Sequence, residues 1–290
     1  MTTPPNAWPQ LDPRHNAMLK AMGVATWWAE VTPAPAAPAA RPSAERRTPI
    51  PREDTPAPVV GRAPPTSIPA SRPSVVSEQS PGGPMTQPLL DMRALGDAVR
   101  GCSACGLSGK RRHAVPGMGD ANKPDWLVVG EAPGEEEDRQ GLPFVGRAGQ
   151  LLDRMLAAMG LSREEKVYIA NVIKCRPPQN RNPEPDEIAQ CTPYLLRQVA
   201  LLQPRMVLAM GRFAAQTLLA HGSGMSADTL RQTPLGKLRG RVHTVHVAGR
   251  DYPVVVTYHP AYLLRSPGEK AKAWADLCLA MDAADGSTRL

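Results

Sequence analysis

The stretch Trp126-Leu127-Val128-Val129-Gly130-Glu131-Ala132-Pro133-Gly134-Glu135 decides the fold. Its short apolar run, 126–129, ends at Gly130 and reads as a strand entering a loop. Two glycines and a proline directly after a strand make a tight turn with exposed backbone N–H groups. Such a turn can approach a flat ligand or a phosphate closely; its plain alternative is an ordinary strand-to-helix loop. Five acidic residues lie within 131–138. That density suits water positioning, or reading polar groups on a ligand, better than cradling a phosphate. Working outward, residues 168–173 and 206–210 read as further strands, and 242–247 and 253–257 as strands around a turn at Gly249. Helical spacing marks 90–99, 149–159, 213–220 and 269–283, and a proline and acidic residues open a helix over 185–202. Strands alternating with helices predict an α/β fold: a three-layer α/β/α sandwich around a mostly parallel, four-stranded central sheet. Such sheets carry their sites beyond the carboxyl ends of the strands. Residues 130–134, 171–175 and His259 fall there.

The composition is uneven. Nineteen of the 33 prolines fall in residues 1–88. A stretch that rich in Pro, Ala and Ser cannot bury enough apolar surface to offset its ordering entropy. Residues 31–88 are therefore expected to be a disordered linker, with residues 1–88 as a tail and 89–290 as one globular domain. Residues 13–30 read as a short helix. It either packs back on the domain or docks on a protein partner through Trp27 and Trp28. The formal net charge is +7, compatible with a phosphate-rich partner. No run of eighteen apolar residues occurs, so no membrane span is expected. Nothing in the chain calls for more than a monomer.

Five cysteines without a secretion signal suggest a reducing compartment, the cytoplasm, and favour metal binding over disulfides. Cys102 and Cys105 make a Cys-x-x-Cys bite. Cys175 and Cys191 complete a four-sulfur shell that iron–sulfur or zinc could occupy. Cys278, among apolar residues of the last helix, reads as a buried core thiol.

The remaining candidates each have a bland alternative. Phe144, in Pro143-Phe144-Val145-Gly146, offers a face for stacking or fills the core. Asn171, at a strand end, presents an amide donor and acceptor side by side, or caps a turn. Arg176 and Arg181 belong to a proline-stiffened basic loop able to touch a phosphate backbone. His259 follows an apolar strand and precedes Pro260, where it could bond a developing anion. Leu263, Leu264 and Arg265 form either an apolar wedge with a basic flank, suited to a base stack, or helix packing.

Gly130 to Gly134, Pro143 to Gly146, Asn171 to Pro178, His259-Pro260-Ala261 and the four cysteines together resemble family 4, the iron–sulfur uracil-DNA glycosylases. The resemblance covers about residues 91–285 and implies excision of uracil from DNA, single- or double-stranded, in the bacterial cytoplasm and nucleoid. It implies that Phe144 stacks on the base and Asn171 reads its O4 and N3–H edge. Gly130, Glu131 and Ala132 would reach other polar atoms, and His259 would stabilise charge growing on O2. It implies a 4Fe–4S cluster on Cys102, Cys105, Cys175 and Cys191, structural in role. Ala132 stands where the classical cytosolic enzymes carry the water-orienting aspartate, so Glu131 and then Glu135 are the candidates for that role. Members that trap uracil covalently carry a histidine in a basic loop insert. Residues 179–186 contain none, so turnover without a covalent product is expected. A non-catalytic DNA-binding or polymerase-associated module is the alternative. An oxidoreductase ranks last, since no flavin or nucleotide fingerprint accompanies the cysteines.

Overall fold

The computed structural model describes residues 91–222 and 224–286. The expectations for the proline-rich tail, its disorder and its helix over 13–30, lie outside the described residues. The elements in chain order are α1 (Met92–Gly101), β1 (Met118–Gly119), β2 (Trp126–Gly130), α2 (Glu135–Gln140), α3 (Arg147–Ala158) and β3 (Val167–Asn171). There follow α4 (Pro185–Leu202), β4 (Met206–Met210), α5 (Arg212–Leu219), α6 (Ala227–Gln232), α7 (Leu235–Leu238), β5 (Val242–Val247), β6 (Arg250–Thr257), α8 (Pro260–Arg265) and α9 (Lys270–Ala284). Among the described residues no helix is long and apolar enough to cross a membrane.

The sheet has six strands in the order β1-β3-β2-β4-β6-β5. The four central strands run parallel, as the alternation of strands and helices predicts. The antiparallel edge strands β1 and β5 extend it on either side. Every residue of β2, β3 and β4 is buried, as a sheet covered on both faces requires. The period of two sorts their side chains into two cores. Leu127 and Val129 join Val207, Ala209 and the inner faces of α4 and α5. Trp126 and Val128 join Met206, Leu208 and the inner faces of α3 and α9. Each fully buried Leu, Val or Met adds about 1.5–3 kcal/mol, and these two layers make the three-layer sandwich. Cys278 is half-buried at the margin of the second core, not sealed within it: α9 turns that flank toward solvent.

One buried ion pair anchors the strand end that carries His259. Arg239, after α7, donates from Nε to Asp276 of α9 at 2.7 Å and from Nη2 to the Lys272 carbonyl at 2.6 Å. Its guanidinium carbon also lies 4.0 Å from the Tyr258 ring centroid. Burial pushes the Asp276 carboxyl up, and Arg239 draws it back toward ionisation. Asp276→Asn leaves Arg239 buried without its counter-charge. It is expected to cost about 3–5 kcal/mol in chemical denaturation. A loss below about 1 kcal/mol would remove the pair as an anchor.

Candidate active site

The carboxyl ends of the parallel strands open into one cleft of about 680 Å³. β2 delivers Gly130, whose register partner on β3 is Asn171. β4 is followed by Gly211, and β6 by Tyr258 and His259. Glu131, Ala132, Phe144, Asn171, Gly211, Arg212 and His259 all line the cleft.

Asn171 is 1% exposed, and its Oδ1 has no hydrogen-bond partner. An orphaned buried acceptor costs about 1–3 kcal/mol, a cost that a ligand donor in the cleft would remove. Gly130 explains how the amide reaches that position. A Cβ on Gly130 would stand 2.4 Å from Asn171 Oδ1 and 2.5 Å from Phe144 Cζ, so any side chain there would displace both.

Phe144 sits in the left-handed region, with φ 53°. For a bulky residue that conformation persists only where the surroundings over-determine it. Glu137 supplies one constraint, accepting the amide N–H groups of Gly134 (3.0 Å), Val145 (2.9 Å) and Gly146 (3.0 Å). Arg163 supplies another, donating from Nη2 to the Phe144 carbonyl at 3.0 Å. Gly149 supplies the third: a Cβ there would come 1.7 Å from the Phe144 oxygen. Read in sequence, Glu137 was one of five acidic residues beside the turn. Its position three residues after Gly134 is the capping-box interval that distinguishes it.

His259 stacks against Phe144 with ring centroids 5.5 Å apart. Its Nδ1 accepts the Ala261 amide N–H at 3.1 Å, capping α8. That bond leaves the neutral ring its proton on Nε2, a donor. Burial, with Arg265 adding to it, holds the imidazole down at about 4, so the ring is neutral at physiological pH. Glu131 is half-buried. Burial pushes its carboxyl up, while the Arg212 guanidinium pulls it back.

A buried acceptor, a neutral histidine donor, an aromatic ring and a half-buried carboxylate thus converge at the ends of four strands. The family model of the uracil DNA glycosylase superfamily matches residues 116–278. The chain belongs to the uracil DNA glycosylase superfamily. The type-4 uracil-DNA glycosylase of Pyrobaculum aerophilum is 40% identical over 190 residues, 66% of this chain and 93% of that protein. That of Archaeoglobus fulgidus is 43% identical over 61% of this chain and 86% of its own length. That of Saccharolobus solfataricus is 44% identical over 61% and 78%.

Within this superfamily frame, the other predicted site residues divide. Cys102, Cys105, Cys175 and Cys191 line a single small cavity, together with Lys174 and Arg111. Arg111 donates to the Cys175 sulfur at 2.9 Å. Lys174, 1% exposed, donates from Nζ to the Asn171 carbonyl at 2.6 Å and to Gln198 Oε1 at 2.7 Å. Two cations beside four thiols would offset the charge of a thiolate-bound metal, so the donor set fits one. Among the described residues, no three His, Cys, Asp or Glu side chains converge on the position of a single ion.

The structure does not bring Glu135 to the cleft. Its side chain is exposed on the first turn of α2, 3.5 Å from Arg176. Arg176 is thereby turned to Glu135 and to Asn180, which accepts from its Nε at 2.8 Å. Arg181 lines the cleft, but Glu187 holds its guanidinium through both carboxylate oxygens. Leu263 corrects the wedge expectation. It is fully buried, because α8 packs on α3 and this residue faces the core beneath. Its neighbours Tyr262 and Leu264 are the exposed apolar side chains, and Tyr262 and Arg265 line the cleft. Arg212, Tyr258 and Tyr262 were not singled out from sequence as site residues. Their signal is positional only: Tyr258 and Arg212 lie one and two residues past a strand end, and Tyr262 three residues past His259.

Proposed function

We propose that the protein excises uracil from DNA, cleaving the N-glycosidic bond and leaving an abasic site. The observation that carries this reading is the unpartnered Asn171 acceptor in the same cleft as the Nε2 donor of a neutral His259. A buried acceptor with no donor of its own selects a base that carries N3–H. Uracil carries one, and cytosine presents an acceptor there, which would leave Asn171 unpaired. The base must leave the stack to reach this depth. Phe144 would then lie against its face, and the backbone at Gly130 to Ala132 could approach because Gly130 has no Cβ.

As the bond to the sugar lengthens, negative charge grows on the base and positive charge on the sugar. The Nε2 proton of His259 would meet the charge on O2. It costs no reorganisation, since the Ala261 bond already fixes the tautomer. Glu131, ionised, would stabilise the sugar cation and orient the attacking water. Glu135 is too far into solvent for that task. Tyr262 and Leu264, which are exposed, and not the buried Leu263, would be the apolar side chains to enter the vacated stack.

Cys102, Cys105, Cys175 and Cys191 would hold a 4Fe–4S cluster. Thiols that ring a cavity suit a multi-iron cluster better than a single ion. Bound there, the cluster would tie the N-terminal edge of the domain to its middle; hydrolysis transfers no electrons.

Protein purified without oxygen is expected to release uracil from an oligonucleotide with a single uracil, and not thymine from the matched control. It should carry iron and acid-labile sulfide in equal amounts. DNA binding without base release would favour a non-catalytic module of the same fold.

A further inference from the structure

Lys174 is a buried cation that the proposed chemistry does not use. Its side chain is 1% exposed, and among the described residues no carboxylate lies within ion-pair distance of it. Its Nζ donates to the Asn171 carbonyl at 2.6 Å and to Gln198 Oε1 at 2.7 Å. Gln198, also 1% exposed, is held in turn, donating from Nε2 to the Pro116 carbonyl at 2.7 Å. That bond fixes which end of the amide faces the lysine. Lys174 also lines the four-cysteine cavity, within electrostatic reach of Cys175 and Cys191. Of the two cations at that cavity, Arg111 gives its donors to the Cys175 sulfur and to the Arg100 and Cys102 carbonyls. Lys174 is the one that also bonds a cleft residue.

A carbonyl and an amide oxygen need only a neutral donor. An ammonium buried with no anion beside it is far costlier than a neutral donor would be. The anion within reach is the thiolate set, whose charge a bound metal would only partly offset. The segment from Asn171 to Cys175 therefore spans two sites. At the cleft end, Val172 and Ile173 donate their amides to the Gly130 and Glu131 carbonyls at 2.9 and 3.2 Å. At the other end, Cys175 enters the cysteine shell. The Lys174 side chain folds back from the second end to the first.

We propose that Lys174 is a strut between the four-cysteine metal site and the base-reading amide. It takes metal-bound thiolates as its counter-charge and holds the Asn171 backbone so that Oδ1 meets the base. This deepens the glycosylase reading and rests on Asn171 as the base reader. Lys174 is a positioning residue on this assignment; it touches neither the base nor the reacting bond.

The test is Lys174→Met, alone and combined with Asn171→Ala, on a duplex with a single uracil, with iron and sulfide measured on each protein. In iron-loaded Lys174→Met, kcat is expected to fall about thirty- to a hundredfold, with KM and DNA affinity within about threefold of the parent. In the Asn171→Ala background the same substitution should change kcat by less than about twofold, because the residue it positions is gone. Excision within about threefold of the parent by iron-loaded Lys174→Met would overturn the strut. So would the full loss repeated in the Asn171→Ala background, which would place the effect outside Asn171. Should Lys174→Met fail to hold iron, Gln198→Met decides, since it removes the lysine's second acceptor and leaves the ammonium. It should lower kcat about tenfold, and not in the Asn171→Ala background; an unchanged kcat would overturn the strut. Absence of uracil release by the unaltered protein would overturn the glycosylase reading. Deuterium exchange at the Val172 and Ile173 amides would then decide the strut by itself: faster exchange in Lys174→Met sustains it, and unchanged exchange overturns it.

Discussion

Asn171→Ala is expected to lower uracil excision about a thousandfold, some 4 kcal/mol of transition-state stabilisation, and to leave DNA binding nearly unchanged. On the proposed reading the amide would contact only the everted base, whereas duplex affinity comes from phosphates. The same substitution should cost the fold almost nothing. In the free protein Oδ1 has no partner, and removing an orphaned buried acceptor offsets the packing lost with the side chain. A melting temperature within a few degrees of the parent, beside a collapsed rate, is the signature of a residue kept for its ligand and not for stability. Excision within about tenfold of the parent would remove Asn171 as the base reader. Loss of DNA binding together with excision would make it structural.

The pattern of what was legible in the sequence follows from the range of the forces. β2, β3 and β4 are readable because their apolar runs are local: three strands of continuous apolar residues must be buried on both faces. The cleft residues were readable because they sit immediately after those strands, where parallel sheets expose their carboxyl ends. β1 was not readable. Two residues, Met118 and Gly119, carry no period, and they pair with β3 only because Gly119 leaves room for the Val167 carbonyl.

The side chains whose surroundings sequence does not reveal share a common reason. Leu263 and Leu264 are adjacent and chemically identical, and only the packing of α8 on α3 decides that one is buried and the other exposed. Arg176 and Arg181 look like free cations in a basic loop. Their partners, Glu135 and Glu187, are charges that any loop reading assigns to other tasks. Glu137 passes in sequence for one more carboxylate beside the turn, yet it spends both oxygens on backbone amides that hold the Phe144 loop. Charge and composition name the residue types near a site. Which of them is already satisfied by a neighbour is a tertiary fact.

His259→Ala is expected to slow excision about a hundred- to a thousandfold, the cost of removing one preorganised donor to a developing anion. The pH dependence separates the neutral ring from the imidazolium. With its folded value near 4 against an ordinary value of 6.5, His259 does not gain a proton on going from pH 8 to 6. The rate of the unaltered protein should therefore pass through 6.5 without an inflection. Any acid limb should belong to Glu131, whose burial raises it, and should persist in His259→Ala. The same shift has a sign for stability. Below 6.5 the unfolded chain takes up a proton that the folded chain refuses until about pH 4. This contribution to stability is present above 6.5 and falls as the pH drops through that window. A rate that rises as the pH falls through 6.5, and loses that rise in His259→Ala, would mean that imidazolium is the working donor. That outcome would also break the Ala261 cap, because a doubly protonated ring has no acceptor left on Nδ1. The bond that shapes the start of α8 and the proton proposed to meet O2 therefore depend on the same neutral tautomer.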